Sequence, residues 1–244
     1  MPSQLVCRPE REQPVAVLRI TGTLDPVTGD ALQQAVRRSL ADEPTRLLLD
    51  VAELRVGDPV GLASLSAVVC QTAEWPAVPI VLCGASRETR AAIEATPDCA
   101  GLGYATDCEA ALTEYRAEPE PRRVRARLRP VPDACRQVRQ LVTQACEAWH
   151  RSDLAGTAAL IATELVANVV RHAHTTMEFT FGLRDGRLSI SVRDGSRRMP
   201  KPAAPGLSSP GGRGLWLVRD LTEAWGVLPV SDGKVVWSQL GAAI

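Results

Sequence analysis

This 244-residue sequence predicts two domains with mixed helices and strands, joined by a short linker. Three observations carry that reading. Short apolar strands alternate with helix-spaced stretches from Val15 to Tyr115, the pattern of helices packed on a sheet. Glu118-Pro-Glu-Pro121 is charged and Pro-rich, a composition that resists packing and suits a boundary. Beyond it a second set of elements includes two strands joined at Asp185-Gly186, a hairpin signal. The domains are placed at residues 1–116 and 122–244, with 117–121 as the linker.

In the first domain, Val15–Ile20 (VAVLRI) reads as a strand closed by Thr21-Gly22. After Asp25-Pro26, the segment Asp30–Leu40 has helical spacing at Leu32, Val36 and Leu40. Arg46–Val51 (RLLLDV) is nearly continuously apolar, as in a strand covered on both faces. Gly61–Cys70 is small, apolar and helix-compatible. Pro79–Leu82 is another buried strand, followed by the helical Glu88–Glu94 and the amphipathic Glu109–Tyr115. In the turn Gly57-Asp58-Pro59-Val60-Gly61-Leu62, an N-cap Asp followed by Pro at the first helical position starts a helix by itself.

This order of elements, together with Gly22-Thr23-Leu24-Asp25, Asp50 and Asp58…Gly61-Leu62, resembles the STAS domain of anti-sigma factor antagonists over residues 13–116. In that family the turn reads Asp-Ser-Ser-Gly-Leu, and a partner kinase phosphorylates the second Ser. Pro59 and Val60 hold those positions here, so the resemblance implies a switch that lacks its acceptor. Ser64 and Ser66 lie within the following helix and are poor substitutes.

The second domain opens with Arg123–Arg129, which alternates strictly between arginines and Val124, Ala126 and Leu128. A basic nucleic-acid strip and an exposed strand with a charged outer face both fit. The lack of interleaved aromatic residues favours the strand. Asp133 begins a helix through Val138, Leu141, Val142 and Cys146 to Trp149. A further helix containing Glu164 ends near His172–His174, with His172 in a structural role at its end. Phe179–Leu183 and Leu188–Val192 are the hairpin strands, the second running into Arg193-Asp194-Gly195-Ser196. Residues 200–212 lack periodicity and read as a mobile loop. Helical spacing resumes after Gly211-Gly212-Arg213-Gly214-Leu215; Leu221, Trp225 and a last strand at Gly233–Trp237 finish the domain.

Ile161, Leu165 and Val169 recur at spacings of four and form one buried stripe. Glu164 and Asn168 share a face beside it. That stretch alone leaves two readings open: a boundary helix with its polar residues in solvent, or a face lining a phosphate and metal site. A Gly cluster opening a helix is physically suited to phosphate, because backbone N–H groups approach closely and a helix N-terminus favours an anion. It is neither a Walker loop, since no Lys-Ser/Thr follows, nor a Rossmann fingerprint, since no strand leads directly into it.

Taken in order, Glu164…Asn168 on a helix, Asp194 after a strand and Gly212-Arg213-Gly214 opening another helix resemble the GHKL ATP-binding fold of gyrase, Hsp90 and histidine kinases. The wording ELVANVVRHA resembles the RsbW-type anti-sigma factor serine kinases, and the likeness covers residues 122–244. It implies an α+β Bergerat sandwich that binds ATP with Mg²⁺, behind an α/β STAS-like domain. Asn168 would then be the Mg²⁺ ligand, and a carboxamide oxygen is a suitably hard donor. Asp194 would accept from the adenine amino group, with Gly195 beside it. Gly212, Arg213, Gly214 and Leu215 would line the phosphates, and Glu164 would be the general base. One departure is visible: the family's Asp-x-Gly box is Asp194-Gly195-Ser196 here.

Together the resemblances imply a protein serine/threonine kinase acting on a STAS-type antagonist in sigma factor control. The chain's own STAS-like domain would be a docking or pseudo-substrate module. The alternative is a non-catalytic ATP-binding adaptor. The partners implied are a STAS-type antagonist, a sigma factor or both, and a homodimer is compatible. A gyrase- or Hsp90-type machine is not expected, since no transducer domain follows Ile244. Nor is a sensor histidine kinase, since no dimerisation helix pair carries a phosphoacceptor His. A formal net charge of zero argues against a bulk nucleic-acid binder. Seven cysteines without a CxxC pair or metal-ligand spacing point to a reducing compartment. No signal peptide is visible, and no uninterrupted apolar segment approaches the roughly 20 residues that cross a bilayer. The expectation is a cytoplasmic protein with no membrane contact.

Overall fold

The computed structural model describes residues 4–11, 14–73, 75–97, 99, 102–116, 122–184, 186–200 and 214–241. The chain divides into two units, Met1–Glu120 and Pro121–Ile244. The first is built on a five-stranded sheet in the order β1 (Leu5–Arg11), β2 (Val15–Leu24), β3 (Arg46–Val56), β4 (Ile80–Cys83), β5 (Gly103–Ala105). β1 is antiparallel to β2, and β2 to β5 are mutually parallel. Four helices accompany it: α1 (Gly29–Ala41), α2 (Ala63–Thr72), α3 (Arg87–Glu94) and α4 (Cys108–Arg116).

Both faces of this sheet are covered, which explains the unbroken apolar runs. On one face Leu18, Ile20, Leu47, Leu49, Ile80 and Leu82 join Leu32, Val36, Leu65 and Ile93 of α1, α2 and α3 in one core. The intervening Val15, Val17, Leu48, Val81 and Cys83 pack with Ala111, Leu112 and Tyr115 of α4. β1 and β5 are absent from the sequence reading. β1 carries Pro9 and charged residues, tolerated because it is an edge strand, and β5 is only three residues long.

α3 starts at Ser86, whose Oγ accepts from the Thr89 backbone N–H at 3.0 Å. Ser86→Ala removes this cap and is expected to cost about 1 kcal/mol, read as a lower urea midpoint for the first unit.

The second unit is a two-layer α+β sandwich. Its antiparallel sheet runs β6 (Arg122–Leu128), β7 (Met177–Arg184), β8 (Arg187–Asp194), β10 (Gly233–Leu240), β9 (Ala224–Val230). Helices α5 (Asp133–Ala148), α6 (Ala155–Asn168) and α7 (Gly214–Leu221) bury Val138, Val142, Ile161, Leu165, Val166, Leu215 and Val218 with Phe179, Phe181, Ile190 and Val192 of the strands. Trp149 stacks on Phe181 with ring centroids 5.1 Å apart. The arginine-rich β6 is an edge strand, the place where outward charges discourage pairing with another chain. Gly186 closes the β7–β8 hairpin with φ of 78°, the left-handed region that glycine enters freely.

β9 escaped the sequence reading because Pro229 lies inside it; at the sheet edge its missing N–H costs no ladder bond. The 22-residue run Ser152–Ala173, whose most apolar 18-residue window has a mean hydropathy of 1.4, is by length and composition able to cross a membrane. Here its apolar stripe, Ile161, Leu165 and Val169, is buried in the core beneath the sheet.

Candidate functional site

In the first unit, folding brings the two resemblance motifs together. Asp25 Oδ1 accepts from the backbone N–H groups of Val27 and Thr28, both at 2.9 Å, and Thr28 Oγ1 donates to the Thr23 carbonyl at 3.0 Å. Asp58 caps a 3₁₀ turn, Pro59–Leu62, by accepting from Val60 N–H at 2.9 Å. A methyl group on Gly61 would lie 2.7 Å from Asp25 Cα, so only glycine lets the two turns pack. Within the turn Val60 is 65% exposed, an outward apolar side chain with no hydroxyl. Ser64 and Ser66 fall within α2.

The second unit assembles its site around α6. Glu164 and Asn168 occupy successive turns of this helix, which widens to a π turn at Val169–Ala173 immediately after Asn168. His174 closes that turn with its N–H on the Val169 carbonyl at 2.9 Å and a left-handed φ of 55°. His172 is exposed within the turn, so it stands at the helix end. Such π turns often accompany functional sites because they turn side chains out of the regular helical register.

Glu164 meets the start of α7. A methyl group on Gly214 would overlap the Glu164 carboxylate, and its next neighbours would be Cδ and Cβ of the same residue. Glycine at this position therefore allows a helix N-terminus to sit against a carboxylate, an arrangement the helix dipole favours. Leu215 is buried beneath it at 6% exposure. Gly212 and Arg213, and all but Pro200 of the stretch expected to be a loop, lie outside the described residues. Burial pushes the Cys135 thiol up, and Arg171 and Glu164 act on it in opposite directions.

Asn168 Nδ2 is buried and has no hydrogen-bond partner. Leaving such a donor unsatisfied costs about 1–3 kcal/mol, a cost that a bound oxyanion would relieve. No group of three His, Cys, Asp or Glu side chains forms a metal cage among the described residues. Mg²⁺ held largely by phosphates and waters needs only one or two protein ligands, so the residues present fit Mg-ATP.

Asp194 ends β8 near the middle of the sheet, opposite Met177 on one side and Lys234 on the other. Its Oδ1 accepts from Lys234 Nζ at 2.8 Å and from Ser196 N–H at 2.7 Å. Lys234 Nζ also donates to the Ser196 carbonyl at 3.0 Å. Gly195 N–H donates to Thr175 Oγ1 at 3.0 Å. The Asp194-Gly195-Ser196 wording thus forms a closed local turn in place of Asp-x-Gly. The sequence reading missed Lys234 and Thr175. A signal existed for the first: Lys234 is one of only two lysines, and it directly precedes the apolar run Val235-Val236-Trp237.

Residues 8–97 match the STAS domain model, and residues 124–239 match the model of the histidine kinase-like ATPase domain. The anti-sigma-F factor antagonist RsfB of Mycobacterium tuberculosis, matched from two strains, is 42% identical over 53 residues, 22% of this chain. The match spans 43% of the length of that relative. Among solved structures, an anti-sigma factor antagonist from Mycobacterium paratuberculosis is 27% identical, with a TM-score of 0.40, covering 48% of this chain and 97% of its own. The anti-sigma factor antagonist SpoIIAA in its unphosphorylated form is 17% identical, with a TM-score of 0.39, over 47% of this chain and 100% of its own. This chain joins a STAS domain to a histidine kinase-like ATPase domain.

Proposed function

We propose that the protein is a cytoplasmic, Mg-ATP-dependent serine/threonine kinase that phosphorylates a STAS-type antagonist in a partner-switching pathway controlling a sigma factor. The observation that carries this reading is the meeting of Glu164 with Gly214: a carboxylate one turn from Asn168, held at the N-terminus of α7. Asp194 and Gly195 would hold the base, and Asn168 the metal. Gly212, Arg213, Gly214 and Leu215 would hold the phosphates. When bound, Mg-ATP supplies the transferable phosphoryl group and a metal charge that offsets its developing negative charge.

Each remaining role belongs to the chain. Glu164 accepts the proton of the incoming Ser or Thr hydroxyl, which makes that oxygen nucleophilic. Gly214, at the start of α7, lets backbone N–H groups reach the anion. Val60 stands exposed where the STAS resemblance places the acceptor, so phosphate is directed to a partner's hydroxyl and the chain's own STAS domain serves as a docking module.

Asn168→Ala tests the metal assignment. It is expected to weaken ATP binding in the presence of Mg²⁺ by about 10- to 100-fold, with a much smaller change when EDTA is present, as read by calorimetry. Equal losses in both conditions would remove Asn168 from the metal site.

A further inference from the structure

We infer that Lys234 sets which purine the site accepts. The inference rests on Asp194 as the acceptor for the base. Lys234 lies directly across the ladder from Asp194, and the two side chains are 7% and 1% exposed. A methyl group on Gly233 would overlap the Asp194 carbonyl oxygen, so glycine there allows the close approach that places Lys234. Both contacts to the carboxylate, from Lys234 Nζ and from Ser196 N–H, fall on Oδ1. Oδ2 is left as the oxygen for a ligand.

A lysine ammonium has three donors and no acceptor. Two of them are used, on Asp194 Oδ1 and the Ser196 carbonyl. Paired with this cation, the buried carboxyl group is an acceptor on both oxygens. It therefore takes the N–H of a 6-amino purine and opposes a 6-oxo purine, whose oxygen would face it. Removal of the cation changes that chemistry. A carboxyl group buried without a counter-ion is held neutral, and a neutral carboxylic acid donates as well as accepts. The 6-oxo group then finds a partner.

The experiment compares Mg-ATP with Mg-ITP, the 6-oxo analogue, by calorimetry on the full chain. Wild type is expected to prefer ATP by at least about 10-fold, since a site built to bond one polar group rejects its mismatch. Lys234→Met should bring the two affinities within about threefold. Lys234→Arg, which keeps the cation, should retain the preference. If Lys234→Met does not fold, Lys234→Gln, which keeps an N–H donor for Asp194 Oδ1 but removes the cation, is expected to lose the preference too. An unchanged ATP-to-ITP ratio in these variants would make Lys234 a structural counter-ion and overturn the inference. Equal binding of ATP and ITP by wild type would also overturn it, while leaving the nucleotide site intact. Binding of neither nucleotide by wild type would overturn the nucleotide reading itself, and this inference with it.

Discussion

Glu164→Gln is expected to slow phosphate transfer to a partner hydroxyl by about 10²- to 10⁴-fold, the range a positioned general base contributes. The substitution keeps the shape that packs against Gly214 and removes only the basic oxygen. ATP affinity should not fall, because a negative charge is withdrawn from the neighbourhood of a polyanion. Single-turnover transfer, measured beside calorimetric ATP binding, separates the two effects. Transfer at the wild-type rate would remove Glu164 from the chemistry. A parallel loss of binding would make it a binding residue.

Asp194→Ala is expected to act on both stability and binding. Lys234 is 7% exposed at its side chain and would be left without its carboxylate. Breaking a buried pair from one side costs about 3–5 kcal/mol. The same change deletes the acceptor proposed for the adenine amino group, so ATP should no longer raise the melting temperature of the second unit, as any ligand that binds only the native state must. Asp194→Asn separates the effects: it keeps an acceptor oxygen but loses the charge. If ATP still raises the melting temperature of Asp194→Ala as it does that of wild type, the adenine assignment is wrong.

Much of this architecture was legible because burial writes itself into periodicity. Arg46–Val51 read as a strand covered on both faces, and Leu47, Leu49 and Val51 do enter a different core from Leu48. The stripe Ile161, Leu165 and Val169 read as buried, and all three lie in the core of the second unit. What escaped were elements stabilised by pairing rather than by their own apolar pattern: β1 with Pro9, β9 with Pro229, and the three-residue β5. The site was legible as separate pieces whose contacts depend on register. Nothing in local spacing places Lys234 opposite Asp194, because the two are 40 positions apart and on antiparallel strands. Likewise, Gly214 read as a phosphate-loop glycine, while its packing on Glu164 is a tertiary contact between α6 and α7.

The most direct measurement incubates the full chain with γ-labelled ATP, Mg²⁺ and a panel of STAS-type antagonists. Label is expected on a Ser or Thr of one antagonist, absent from the chain's own STAS turn, where Val60 offers no hydroxyl, and strongly reduced with Glu164→Gln. Tight ATP binding with no labelled partner would contradict the kinase and leave an adaptor whose shape ATP stabilises.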